Sequence, residues 1–180
     1  MSHNLIKIPA FDKKSKSCHA VIETPKGSHH KFDYDPDFGC FKLKKTLPEG
    51  MTFPLDFGFI PSTLADDGDP VDILVVLDFP AEMGALIKVR LIGGIEAEQR
   101  EKNGKAERND RLIGVAAHSQ TLATIKSLDD MGKVTLDQLI AFFEQYNKLD
   151  DKEFHATGIC PPRRARALVE KGIKAHQKKH

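Results

Sequence analysis

Four carboxylates, Asp66, Asp67, Asp69 and Asp72, fall within seven residues of the segment Leu64-Ala65-Asp66-Asp67-Gly68-Asp69-Pro70-Val71-Asp72. Two carboxylates about 4 Å apart repel by about 4 kcal/mol at an effective dielectric near 20. A solvated loop relieves this by splaying its side chains. Asp72, however, opens the apolar run Ile73-Leu74-Val75-Val76-Leu77, a pattern that suits a strand buried on both faces, and a strand end has less freedom to splay. Hard divalent cations such as Mg²⁺ are the usual remedy, because they take oxygen ligands. The spacing is not that of an EF-hand. Counting from Asp67, Val71 falls on the fifth position and Asp72 on the sixth, where that loop needs glycine. Residue chemistry alone leaves two readings open: a metal-holding loop, or an Asp-rich turn closed by Asx hydrogen bonds.

The surrounding elements have to position these carboxylates. Apolar or alternating segments at 20–23, 31–34, 40–43, 57–60, 71–77, 85–92 and 112–116 are separated by Pro and Gly clusters such as Pro25-Lys26-Gly27, Pro48-Glu49-Gly50 and Gly68-Asp69-Pro70. Short strands at this spacing predict a barrel or sandwich. The polar stretch 99–110, with its turn-prone Asn103-Gly104, reads as a loop between two strands. Beyond about residue 127 the texture changes. Thr135 with Gln138 has the form of a capping box, and Leu136, Leu139, Ile140, Phe143 and Tyr146 recur at helical spacing, which predicts an amphipathic helix over about 135–148. Pro161-Pro162 predicts the start of a second helix, over about 161–176. The expectation is a mainly β, α+β fold: one domain over 1–180, a small barrel over about 20–120, and flanking helices.

Composition narrows the function. Lys plus Arg is 27 against 26 for Asp plus Glu, a balance that disfavours a nucleic-acid binder. Aromatic residues are 7% with no Trp, which disfavours base stacking on single strands. The three cysteines, Cys18, Cys40 and Cys160, are odd in number and far apart, so they read as free thiols in a reducing compartment. No apolar run approaches the roughly 20 residues of a membrane span, and the N-terminus has no secretory pattern. These features predict a cytoplasmic chain with no membrane partner. His29, His30 and His118 lack metal-ligand spacing with any cysteine and are read as non-ligands. The seven cationic residues between Arg163 and Lys179 are read as a solvated helix face.

The run Asp67-Gly68-Asp69-Pro70-Val71-Asp72-Ile73-Leu74-Val75 resembles the signature of the soluble family I inorganic pyrophosphatases. The resemblance extends to Val21-Ile22-Glu23-Thr24-Pro25, Lys31-Phe32-Asp33, Pro54 with Phe57-Gly58-Phe59-Ile60, Val115 with His118-Ser119, and Phe142-Phe143-Glu144-Gln145-Tyr146, in order over about residues 20–148. It implies a five-stranded OB-like barrel with helices and hydrolysis of pyrophosphate. It further implies Mg²⁺ as cofactor (Mn²⁺ or another divalent cation being the alternative) and a homo-oligomer, commonly a hexamer in bacteria. By the same resemblance Asp67, Asp69 and Asp72 are the catalytic aspartates. Asp67 and Asp72 contact metal, Asp69 orients or deprotonates the attacking water, and Glu23 holds a further cation. Lys31, Lys45, Arg111 and Tyr146 fall on phosphate-contacting positions.

Several positions depart from the family pattern. Asp33 stands for Glu, Lys45 for Arg, Phe57 for Tyr, Arg111 for Lys, and Asn147 for the Lys after the helix Tyr. In the loop before strand 111–117, where the family has two metal-binding Asp residues, this chain offers Glu98, Glu101, Glu107, Asn109 and Asp110. Glu101 is taken as the first loop ligand. Side chains alternate across a strand, so only one of Asn109 and Asp110 can face the metals without a bulge. Asp110 is favoured because it keeps the charge. Retained charge with altered geometry fits a working but retuned phosphate site. The alternatives are a non-catalytic paralogue that binds metal and phosphate, or a hydrolase of another phosphoanhydride.

Overall fold

The computed structural model describes residues 4–102 and 104–179. Asn103 of the expected turn lies outside the described residues. All seven expected strands are present: β1 (Cys18–Thr24), β2 (His30–Asp35), β3 (Cys40–Thr46), β4 (Asp56–Ile60), β5 (Val71–Val76), β6 (Leu86–Glu101) and β8 (Arg111–Ala116). Two more were not anticipated: the short β7 (Ala106–Arg108) and β9 (Lys152–Cys160). The stretch 99–110 is therefore largely a hairpin and not a loop. Its polar residues form strand because β6 runs on past the barrel and pairs with β7 on one side and β9 on the other. Pairing in the order β1-β4-β5-β8-β6, closed by β6 on β1, makes a five-stranded barrel. The pair β5 and β8 is parallel and the other barrel pairs are antiparallel. Strands β2 and β3 form a separate hairpin.

The apolar run after Asp72 behaves as its composition requires. Ile73, Leu74 and Val75 are fully buried. Leu74 joins a cluster with Phe57, Ile113 and Phe143, while Ile73 and Val75 join one with Ile22, Val89 and Val169. Helix α1 (Lys133–Lys148) covers the first cluster with Leu136, Leu139 and Phe143, and α2 (Pro162–Lys179) covers the second with Ala165 and Val169. The expected capping box is not used. The cap of α1 is Gly132, at φ 81°, with no side-chain hydrogen bond, and Thr135 lies inside the first turn. Pro162 does open α2.

Helix α2 is also more than a solvated face. Arg164 lies 3.4 Å from Glu96, Arg166 stacks 4.4 Å over the Phe11 ring, and Lys171 pairs with Asp66 at 2.9 Å. The backbone N–H of Leu64 donates to the Gly172 carbonyl at 3.0 Å, which docks α2 against the segment that leads into the acidic loop. Cys18, Cys40 and Cys160 are free thiols, as expected. No helix among the described residues is long and apolar enough to cross a membrane.

Candidate active site

A cleft of about 720 Å³ opens at one end of the barrel. Its acidic side is the loop into β5. That loop is held by its own backbone: Ala65 N–H donates to the Asp69 carbonyl at 2.7 Å, Gly68 N–H to Ala65 at 3.1 Å, and Asp69 N–H to Asp67 Oδ1 at 3.1 Å. Gly68 takes φ 91°, a left-handed value that a side chain disfavours. The loop presents Asp67, Asp69 and Asp72 to the cleft, while Lys171 draws Asp66 away to α2.

Two bulges aim further residues. On β1, Ile22 pairs with Gly58 and Thr24 with Phe57, so the register skips Glu23. A bulge bends a strand and redirects a side chain. Here it turns Glu23 to Lys31 Nζ at 3.2 Å and to the Tyr34 backbone N–H at 2.7 Å. The strands approach so closely that a Cβ on residue 58 would lie 1.9 Å from the Val21 carbonyl oxygen, which requires glycine there. The second bulge lies on the β2–β3 hairpin. Lys31 pairs with Lys45 and Phe32 with Leu43, so the register skips Lys44. Lys44 then lines the cleft and bonds Asp33 at 2.7 Å.

Two of the cations lining the cleft, Lys31 and Arg111, are buried. Lys31 bonds Glu23 and Asp33 and lies 4.6 Å from the Phe57 ring centre. Arg111 pairs with Asp72 Oδ2 at 2.5 Å and donates to Asn109 Oδ1. Its guanidinium faces the rings of Phe57, Phe143 and Phe154 at 5.9, 5.3 and 5.9 Å. Asn109 Nδ2 in turn donates to Gln99 Oε1 at 2.8 Å.

The charges are incompletely balanced. Desolvation raises the Asp72 carboxyl above its ordinary value despite Arg111 and Lys31. It raises Glu23 despite Lys31 and the Tyr34 N–H, and Asp67, where Asp72 and Asp69 add repulsion. Burial also opposes charge on Asp33, but Lys31 and Lys44 outweigh it and hold that carboxyl low. Among the described residues no group of three or more His, Cys, Asp or Glu side chains is placed to hold a metal ion by itself. The carboxylates instead spread along the cleft, partly taken up by Lys31, Lys44 and Arg111. Such an arrangement offers hard oxygen ligands to cations and positive groups to an anion within one cleft.

Of the residues expected from the sequence, Glu23, Lys31, Asp67, Asp69, Asp72, Glu101, Arg111 and Tyr146 line this cleft. Glu101 sits on the long hairpin, where it pairs with Lys152 of β9 at 3.0 Å. Two expected residues are placed elsewhere. Lys45 bonds Asp150 at 2.6 Å and lies 3.6 Å over the Tyr146 ring, because the bulge gives Lys44 the inward position. Asp110 accepts from the Ala97 N–H at 3.1 Å and pairs with Arg108 at 2.7 Å, while Asn109 and Arg111 on either side of it line the cleft. The sequence reading also missed Lys44 and Gln99. No local signal marks a bulge of this kind, and Gln99 enters the cleft only because β6 continues beyond the barrel.

Barrel and cleft together define a small closed-barrel protein whose acid-rich loop and buried cations line one cleft. A family model described as inorganic pyrophosphatase matches residues 20–177. An inorganic pyrophosphatase of Thermus thermophilus is 40% identical over 167 residues, 93% of each chain. One from Synechocystis is 34% identical over 174 residues, 97% of this chain and 99% of the relative. The crystal structure of an inorganic pyrophosphatase from Thermus thermophilus matches with a TM-score of 0.87 at 37% identity, covering 97% of this chain and 99% of that one. The chain belongs to the inorganic pyrophosphatase family.

Proposed function

We propose that the chain hydrolyses pyrophosphate to two orthophosphates, with Mg²⁺ as the working cation and Mn²⁺ as the alternative. The observation that carries this reading is the gathering of Asp67, Asp69 and Asp72 with the buried cations Lys31 and Arg111 in one cleft. A divalent cation fits this donor set. Asp67, Asp72 and Glu23 offer hard oxygens, and desolvation raises their carboxyls further than the neighbouring cations lower them. When bound there, a cation supplies charge neutralisation and Lewis acidity.

The chain's residues do the rest. Lys31 and Arg111 bind phosphate oxygens and spread the charge of the leaving group. Tyr146 borders the same cleft, where desolvation keeps its phenol protonated and able to donate. Asp69 takes a proton from the attacking water. As the water oxygen bonds to one phosphorus, the bridging P–O bond breaks and the second orthophosphate departs with that electron pair. The aromatic wall of Phe57, Phe143 and Phe154 limits water around Arg111. The reading includes a cytoplasmic setting and a homo-oligomer, which sedimentation would size. Orthophosphate release from pyrophosphate with Mg²⁺, then with Mn²⁺, tests the function. Absence of release with both cations, with phosphate still bound, would replace it with the non-catalytic binding reading.

A further inference from the structure

Gln99 and Asn109 line the cleft without a part in the reaction just described. The direction of every hydrogen bond in their chain is dictated by what each group can do. A guanidinium only donates, so Asn109 must turn its oxygen to Arg111. Its NH₂ group is then directed to Gln99, whose Oε1 accepts at 2.8 Å. Asp110 is pinned to the opposite side by Arg108 and the Ala97 N–H, which leaves Asn109 and Arg111 on one face. Arg111 is only 5% exposed, and its Nε is buried with no hydrogen-bond partner among the described residues. The guanidinium is thus held by one carboxylate, Asp72, and by two neutral oxygens, Asn109 Oδ1 and the Asp110 backbone carbonyl at 3.3 Å. A carboxylate at position 109 would set Arg111 between two anions and cancel its charge, whereas an amide orients it and leaves the charge intact.

We propose that Gln99 and Asn109 form a neutral tether that positions the Arg111 guanidinium and reserves its positive charge for the phosphate in the cleft. They are positioning residues that set anion affinity. The proposal rests on the pyrophosphatase reading for the identity of the anion only. The test is calorimetric titration of inorganic phosphate, free of divalent cations and at fixed ionic strength, into wild type, Asn109→Asp, Asn109→Ala and Gln99→Ala. Asn109→Asp should weaken phosphate binding by about tenfold, the scale of a hydrogen bond to a charged group. Asn109→Ala and Gln99→Ala should weaken it by a few-fold. Gln99→Ala also serves if a change at 109 prevents folding.

A cycle separates positioning from general loosening. On an Arg111→Lys background, whose point charge has no fork to orient, the effect of Asn109→Ala should largely vanish. Equal phosphate affinity in wild type and the 109 and 99 variants, additive effects in the cycle, or a wild type that binds no phosphate would each overturn the tether. Pyrophosphate turnover is read separately. A wild type that binds phosphate in the expected series but releases none from pyrophosphate would overturn the hydrolase reading and leave the tether standing.

Discussion

Asp69 can lose its charge without losing its loop, because the turn is tied through the Asp69 backbone and the Asp67 carboxylate. On the proposed mechanism, Asp69→Asn should therefore leave cation binding by Asp67, Asp72 and Glu23 largely intact while removing the proposed proton acceptor. Positioned proton transfer is worth about 10²–10⁴-fold, and kcat should fall by that amount. Steady-state kinetics beside a metal titration checks it, and a variant that keeps most of its rate would remove Asp69 from the reaction. Phe57 acts by a different physics. Its ring lies under both Lys31 and Arg111, so it holds the two phosphate-facing cations by their attraction to the π-face. Phe57→Leu keeps an apolar filler but no quadrupole, and should raise KM by about 30-fold, since a desolvated pair contributes about 2 kcal/mol. Phe57→Tyr keeps the face and adds a hydroxyl at a ring that borders the cleft, so activity should hold or rise. A fall with Tyr would mean that the space is built around the phenyl ring.

At the scale of elements, Asp56 joins the barrel to two loops. Its Oδ1 accepts from the backbone N–H groups of Lys26 at 3.2 Å and Ala81 at 2.9 Å, and the residue is buried. Asp56→Ala leaves both donors without that acceptor and should cost about 2–4 kcal/mol in chemical denaturation. The pH dependence has a definite sign. Desolvation raises the Asp56 carboxyl above its ordinary 3.8, with the two N–H groups only partly offsetting it. The stability from a raised acid is fully present below the unfolded value and is lost as pH rises through the folded value. Asp56→Asn cannot titrate, so wild type should lose stability relative to it from pH 3.8 upward until the raised folded value is passed. Parallel profiles would show that the carboxyl is not raised.

The elements also show what a sequence can and cannot reveal. The seven strands were legible because each is a short apolar or alternating run between Pro and Gly, and β5 because it is apolar on both faces. Strand β9 was not: Phe154, Ala156 and Cys160 alternate with Glu153, His155 and Thr157, but the run is short of large apolar residues, carries Gly158, and packs one edge of β6. The acidic loop was legible because its chemistry is local. The inward turn of Lys44 and Asn109 was not, since it depends on a bulge in one hairpin and on Arg108 holding Asp110 in the other.

For the molecule as a whole, Lys plus Arg exceeds Asp plus Glu by one, so the acids of the cleft are not a symptom of an acidic chain. They are a local concentration, and the folded state carries its cost. Asp67, Asp72 and Glu23 all have carboxyls raised by desolvation, with the cleft's own cations too few to reverse it. A cation that binds this folded arrangement and not the unfolded chain must stabilise the protein by mass action. At a concentration about 100 times its Kd the gain is about 2.7 kcal/mol, and for a chain of this size each kcal/mol raises Tm by about 2–4 °C. Addition of Mg²⁺ to EDTA-treated protein at fixed protein concentration should thus raise Tm by about 5–10 °C and continue to raise it with the logarithm of Mg²⁺. Asp72→Asn should shift that rise to higher Mg²⁺, because it removes one ligand charge while its amide oxygen can still accept from Arg111. Its Tm without metal should fall, since the buried Arg111 guanidinium loses its carboxylate partner, so the variant is compared by its Mg²⁺ midpoint and not by its starting Tm. A Tm indifferent to Mg²⁺ in the wild type, or an unchanged midpoint in Asp72→Asn, would show that these carboxylates do not hold the cation.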